Sequence, residues 1–177
     1  MEKAESRRIT VRLTCDELKR FYRFDVLHSE RIVWYIVMIA IAVLIYLAAA
    51  KTWESIIVPI AGVIFLAGLI FNIFVSSPAY AAEKNAPPPY GVNVGFEFFG
   101  TYYTEQKKGV TLTVPYGGIT RVFERETAFY VYYDVRAVRT DDVKKRSGIA
   151  SVISKEGLTE EEMEFIRTVV TPSKEVK

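Results

Sequence analysis

The sequence predicts an α+β membrane protein: a two-helix transmembrane hairpin, followed by a small antiparallel β-sheet or open barrel that a C-terminal helix caps. Three observations carry this expectation. Two uncharged apolar runs, 32–50 and 56–75, stand five residues apart; a stretch dense in Val, Phe, Tyr and Thr follows them; and a helix-start signature follows that stretch. The composition agrees, because 50% of the residues are hydrophobic and 25% are charged, a mixture of apolar blocks and ordinary polar sequence. Beyond the two runs roughly 100 residues remain, a common size for one compact domain.

Residues 1–31 are polar, with Lys3, Arg7, Arg8, Arg12, Lys19, Arg20, Arg23 and Arg31 among them, too long a charged leader for a signal peptide. Ile9, Val11 and Leu13 alternate with Arg8, Thr10 and Arg12, the period of a strand with one buried face. Thr14 and Glu17 have capping-box spacing, so a helix begins near Cys15. Leu18, Phe21 and Tyr22 give it an apolar stripe, which lies either at the membrane surface or against the later domain.

Ile32 to Ala50 is 19 residues without a charge. As a helix it reaches roughly 28 Å, close to the ~30 Å hydrocarbon thickness of a bilayer. Residues 51–55 are a polar interruption too short for a domain, and Trp53 suits the headgroup interface, as does Arg31 at the other end. Ile56 to Val75 is a second uncharged run of 20 residues, with Pro59 near its first turn and Asn72 near its end. Gly62 and Gly68 are six apart, so the close-approach G-x-x-x-G pattern is absent. Lys19, Arg20, Arg23, Arg31 and Lys84 flank the hairpin, whereas the short loop carries Lys51 alone. The positive-inside rule therefore places both termini of this multi-pass chain in the cytoplasm.

Residues 76–90 read as a linker ending in the stiff, extended Pro87-Pro88-Pro89. Within 91–177, strands are expected at 92–99, 101–106, 110–114, 119–125 and 128–133, with a further pair at 135–139 and 149–153. Thr159 and Glu162 repeat the capping-box spacing, Glu160 and Glu161 complement the helix dipole, and Met163, Ile166 and Val170 form the apolar face. Thr171-Pro172 closes this helix.

In the order of these parts and in short signatures the chain resembles the YcxB-like family of bacterial membrane proteins. The carrying segments are RITVRLTCDELKRFYRF, the hairpin, YGVNVGFEFFGTYYTEQ, VPYGGITRVFE with AFYVYY, and VISKEGLTEEEMEFI. The resemblance covers nearly the whole length and implies a pleckstrin-homology-like C-terminal domain, a sheet of about seven strands capped by the Thr159 helix. It brings no catalytic motif.

The residues themselves offer little chemistry. His28 is the single histidine and Cys15 the single cysteine, so neither an internal disulfide nor a thiolate metal cluster forms within one chain. Glu160, Glu161, Glu162 and Glu164 follow a helix start rather than metal-ligand spacing, and no phosphate-cradling glycine pattern precedes a helix. The net charge of +2, without clustered aromatics and cations, argues against a nucleic-acid partner. No cofactor, metal or catalytic residue is expected. Lys144, Lys145 and Arg146 form the candidate lipid contact, because adjacent cations gain about 1 kcal/mol each at an anionic leaflet. The alternating aromatics Phe96, Phe98, Tyr102, Tyr130 and Tyr132 suit a sheet core, with an open edge or groove for a protein partner. The expectation is a non-enzymatic, membrane-anchored binding or regulatory module. Its alternatives are an immunity protein that neutralises a bacterial toxin at the membrane, and an anionic-lipid sensor; a homo-oligomer is compatible with each.

Overall fold

The computed structural model describes residues 6–28, 31–50, 57–89, 91–140 and 150–170. The fold is α+β with two antiparallel sheets, and the described residues form no closed barrel. The chain divides into two compact units, Met1–Leu18 with Asn85–Lys177, and Lys19–Lys84.

In the first unit β1 (Arg7–Leu13) follows its alternation: Ile9, Val11 and Leu13 are buried while Arg8, Thr10 and Arg12 face solvent. It pairs antiparallel along its full length with β2 (Val92–Phe98), Ile9 opposite Phe96 and Val11 opposite Val94. The N-terminal strand thus joins the later sheet, a pairing that the sequence left open. With β3 (Tyr102–Lys107), β4 (Val110–Pro115) and β7 (Arg139–Thr140) the order is β1-β2-β3-β4-β7. The second sheet, β5-β6-β8, combines β5 (Ile119–Glu124), β6 (Ala128–Tyr133) and β8 (Ala150–Ser154). Central β6 is buried on both faces at Phe129, Tyr130 and Val131.

The core is aromatic. Phe96, Phe98 and Tyr103 stand with ring centroids 5.7 to 6.4 Å apart. Helix α5 is Glu160–Val169, and its Phe165 meets Phe98 edge-on at 5.4 Å. Ile166 is fully buried, and Arg7 places its guanidinium over the Phe165 ring at 4.8 Å. The expected capping box is present: Thr159 Oγ1 accepts from the Glu162 amide, and the Glu162 carboxylate accepts from the Thr159 amide.

Two local expectations are corrected. The stretch expected to be a strand at 135–139 is a turn over Val135–Ala137, because the Asp134 side chain accepts from the Arg136 amide and the Asp134 carbonyl from the Ala137 amide; only Arg139 and Thr140 pair. The triple proline does not run straight. The Gly91 amide donates to the Pro87 carbonyl at 3.2 Å, closing a turn around a cis Pro88–Pro89 bond. Gly91 has φ +63°, and a Cβ there would come within 2.5 Å of the Leu13 carbonyl oxygen, so only glycine brings this turn against β1.

The second unit is helical. α1 (Cys15–His28) begins in the first unit and continues into this one, followed by α2 (Arg31–Ala50) and α3 (Ile57–Phe71). A π turn, Asn72–Ser76, joins α3 to α4 (Ser77–Asn85), so the helix runs on past the apolar residues into what the sequence presented as linker. α1 and α4 are tied by Lys19 and Glu83 at 3.8 Å. α2 and α3 meet where the Tyr46 ring rests on Gly62; a Cβ at Gly62 would lie 2.5 Å from that ring. Half-buried residues recur along each helix, among them Tyr35, Ile39, Val43 and Tyr46 on α2, and Gly62, Leu66 and Leu69 on α3, with Ile73 in the π turn that follows. Both sets have the spacing of a helix face. Counted antiparallel from Tyr46 and Gly62, Ile39 falls at the level of Leu69 and Tyr35 at the level of Ile73.

Candidate functional site

Away from their shared stripe, α2 and α3 are bare. Val33, Trp34, Ile36, Met38 and Leu44 on α2, and Ile60, Val63, Ile64, Phe65 and Phe71 on α3, are all exposed. These positions run round each helix, so the exposed apolar surface is continuous. Soluble monomers rarely expose contiguous apolar patches beyond on the order of a few hundred Å². Among the described residues one helix, Ile60–Asn85, is long and apolar enough to cross a bilayer, and none of its most apolar stretch is buried. α1 with Ile32–Leu44 passes the same criterion only as a bent pair. Two aromatic side chains, Trp34 near the start of α2 and Tyr80 just past the π turn, are each 71% exposed.

A second assembly lies inside the β-rich unit. Alternation along β3 puts Tyr103, Glu105 and Lys107 on one face, opposite Val114, Leu112 and Val110 of β4. Tyr103 donates to the Ser151 hydroxyl of β8 at 2.9 Å, and Ser151 donates to the Glu105 carboxylate at 2.5 Å. Ser151 and Tyr103 are fully buried. Burial pushes the Glu105 carboxyl above the usual carboxylate range, opposed by the Ser151 hydrogen bond and by the nearby Lys107 charge. It lowers the Lys107 ammonium and raises the phenols of Tyr103 and Tyr133, while Tyr116 is pushed up to about 12. The cluster is a hydrogen-bonded strut between the two sheets, able to take up or release a proton at Glu105.

A third polar group sits where β1 runs into α1. The Glu17 carboxylate accepts from the Thr14 amide at 2.9 Å, the Thr14 hydroxyl at 3.0 Å and the Ser154 hydroxyl of β8. Glu17 is 8% exposed and Ser154 is fully buried. The capping box read from the sequence therefore also fastens the start of α1 to the second sheet.

Lys144, Lys145, Arg146 and Trp53 lie outside the described residues. Arg31 opens α2, and its side chain is likewise outside them. Cys15 is buried at the first turn of α1. His28 stacks on Phe24 with ring centroids 3.8 Å apart, and its Nδ1 lies 3.0 Å from the Phe24 carbonyl oxygen. Of the aromatics expected in the sheet, Phe96, Phe98 and Tyr130 are buried, whereas Tyr102 and Tyr132 are half-buried. The Glu160 to Glu164 run holds Arg167, whose guanidinium meets Glu164 at 3.0 Å and Glu124 of β5 at 2.8 Å. Among the described residues no group of three His, Cys, Asp or Glu side chains could hold a metal ion. The reading of the sequence missed the Glu105 cluster. Its signal was present as two charged residues, Glu105 and Lys107, on the same strand face as Tyr103.

Compared with known protein families, with curated proteins and with solved structures, the chain matches none.

Proposed function

We propose that this protein is a non-enzymatic module anchored in a bacterial inner membrane by α2 and α3 as a transmembrane hairpin, with its β-rich unit at the cytoplasmic face for binding a protein partner. The observation that carries the proposal is the bare apolar surface of α2 and α3. Nothing in the described chain covers it, and hydrocarbon is the solvent in which such a surface is stable. The antiparallel match of the two half-buried stripes supports the hairpin. Trp34 and Tyr80 support its placement, since exposed amphipathic rings favour the headgroup layer. The cations flanking the helices favour cytoplasmic termini.

The resemblance to the YcxB-like family belongs to the same proposal. It is supported by the strand-rich unit, β1-β2-β3-β4-β7 in one sheet and β5-β6-β8 in the other, with α5 packed on Phe98 as the helix that the resemblance implies. The non-enzymatic reading is supported by the enclosure of the polar groups: Ser151, Tyr103 and Ser154 are sealed from solvent, with Tyr103 bonded to Ser151 and Ser154 bonded to Glu17.

Alkaline carbonate extraction of membranes expressing the full chain, combined with alkaline phosphatase fusions at residue 53 and at the C-terminus, tests the proposal. The expected result is retention in the membrane, with activity from the loop fusion and none from the C-terminal fusion. Extraction into the supernatant overturns the anchor, and an active C-terminal fusion overturns the orientation.

A further inference from the structure

We infer that the exposed face of α1 is a docking surface for anionic phospholipid headgroups, formed by Arg20, Arg23 and Leu27. The inference deepens the membrane reading and rests on it. At about 100° per residue, these three side chains fall within about 60° of one another round the helix. Cys15, Leu18, Phe21 and Phe24 are buried, so α1 has its apolar face occupied and this one free. Arg20 and Arg23 are exposed, and neither makes an ion pair or side-chain hydrogen bond among the described residues. Their neighbours differ: Lys19 is held to Glu83, and Asp16, one turn before Arg20, has a partner of its own. Leu27 is 53% exposed at the end of the same face. Arg23 precedes Ile32, the first residue of the apolar run, by nine positions.

These properties select the partner. A guanidinium forms paired hydrogen bonds to phosphate oxygens, and cations next to a span are drawn to an anionic leaflet. An exposed leucine at the membrane-proximal end of the face gains cover at the boundary between headgroups and acyl chains. A protein partner needs about 800 Å² per side for a stable interface, far more than two arginines and a leucine present. The lipid contact is thereby assigned to the start of the chain, in residues that the sequence presented only as charge flanking a span.

The test uses the full chain in nanodiscs of phosphatidylcholine alone or with anionic phosphatidylglycerol. An environment-sensitive fluorophore is attached at Leu27→Cys in a Cys15→Ser background, and doxyl-labelled lipids act as shallow quenchers. Two cations at about fivefold each favour the docked state roughly 30-fold more on the anionic bilayer. The expected result is therefore blue-shifted, lipid-quenched emission that needs phosphatidylglycerol and is lost at about 1 M salt, where the screening length falls to ~3 Å. Arg20→Gln with Arg23→Gln abolishes the dependence on phosphatidylglycerol. Emission that stays water-like in both lipids, or quenching indifferent to the two arginines, overturns the inference while the anchor stands. Failure of the anchor is read separately, by extraction of the same protein at alkaline pH, and it overturns both.

Discussion

Replacing Glu17 by alanine tests whether a single carboxylate fastens α1 to the β-rich unit. Glu17 accepts from two Thr14 donors and from Ser154. A hydrogen bond to a charged acceptor contributes about 1.5–3 kcal/mol, and a lost helix cap costs about 1 kcal/mol. The contributions overlap, because the Thr14 bonds are part of the cap. The Ser154 hydroxyl also keeps a bond as acceptor from the Glu156 amide. The net cost of Glu17→Ala is therefore about 3 kcal/mol. In a domain of this size about 1 kcal/mol shifts Tm by roughly 4–8 °C, so the variant melts about 12–24 °C lower. Near-ultraviolet circular dichroism of the detergent-solubilised full chain, which reports the aromatic core of the β-rich unit, gives the measurement. Glu17→Gln keeps an acceptor oxygen and recovers most of the loss, whereas Glu126→Ala in the exposed turn between β5 and β6 melts as the parent does. A shift below about 4 °C for Glu17→Ala would falsify the assignment, since it leaves less than the cap alone. The Ser154→Ala double-mutant cycle then isolates the bond between Glu17 and Ser154.

Three other outcomes are expected. Cysteines at Ile39 and Leu69 cross-link readily within the chain, while cysteines at Ile36 and Leu69 do not, because the match counted from Tyr46 and Gly62 puts only the first pair on one rung; equal cross-linking removes the antiparallel seam. Glu105 and Glu124 shift stability in opposite directions with pH. The folded state raises the Glu105 pKa, so stability falls as pH climbs from the ordinary carboxylate range through the raised value; Glu105→Gln flattens this limb in urea titrations at several pH values. Arg167 and Lys155 hold Glu124 down to about 2, so its stabilisation is complete above the ordinary range and is lost as pH falls toward 2, and Glu124→Gln removes that acid limb. Phe98→Ala opens a cavity beneath Phe165 and lowers stability by about 3–5 kcal/mol in the same denaturant assay, whereas Phe98→Leu costs far less.

Much of the fold is legible in single residues. The Thr14–Glu17 and Thr159–Glu162 pairs announce both capping boxes, since the bonds involved span only three positions. Ile9, Val11 and Leu13 announce a strand for the same local reason. What failed was also local but competitive. Val135 to Arg139 has strand-forming residues, yet Asp134 takes two amides and turns the chain. Pro87 to Pro89 has an extended bias, yet a hydrogen bond to a positive-φ glycine bends it. The interior hydrogen bonds were illegible, because Ser151 and Glu105 stand 46 positions apart, and Ser154 and Glu17 stand 137 apart.

The sequence by itself determined the periodicities: two uncharged runs, alternating strands, two helix starts and the cations around the apolar blocks. These follow from propensities and side-chain spacing within a few residues. The tertiary structure alone decided that β1 closes onto β2, that Gly62 seats Tyr46, that Glu105 is hydrogen-bonded to buried Ser151, and that Arg20 and Arg23 make no ion pair among the described residues. Each depends on which distant side chain arrives at the same place. Burial and long-range pairing set that, and no local pattern encodes it.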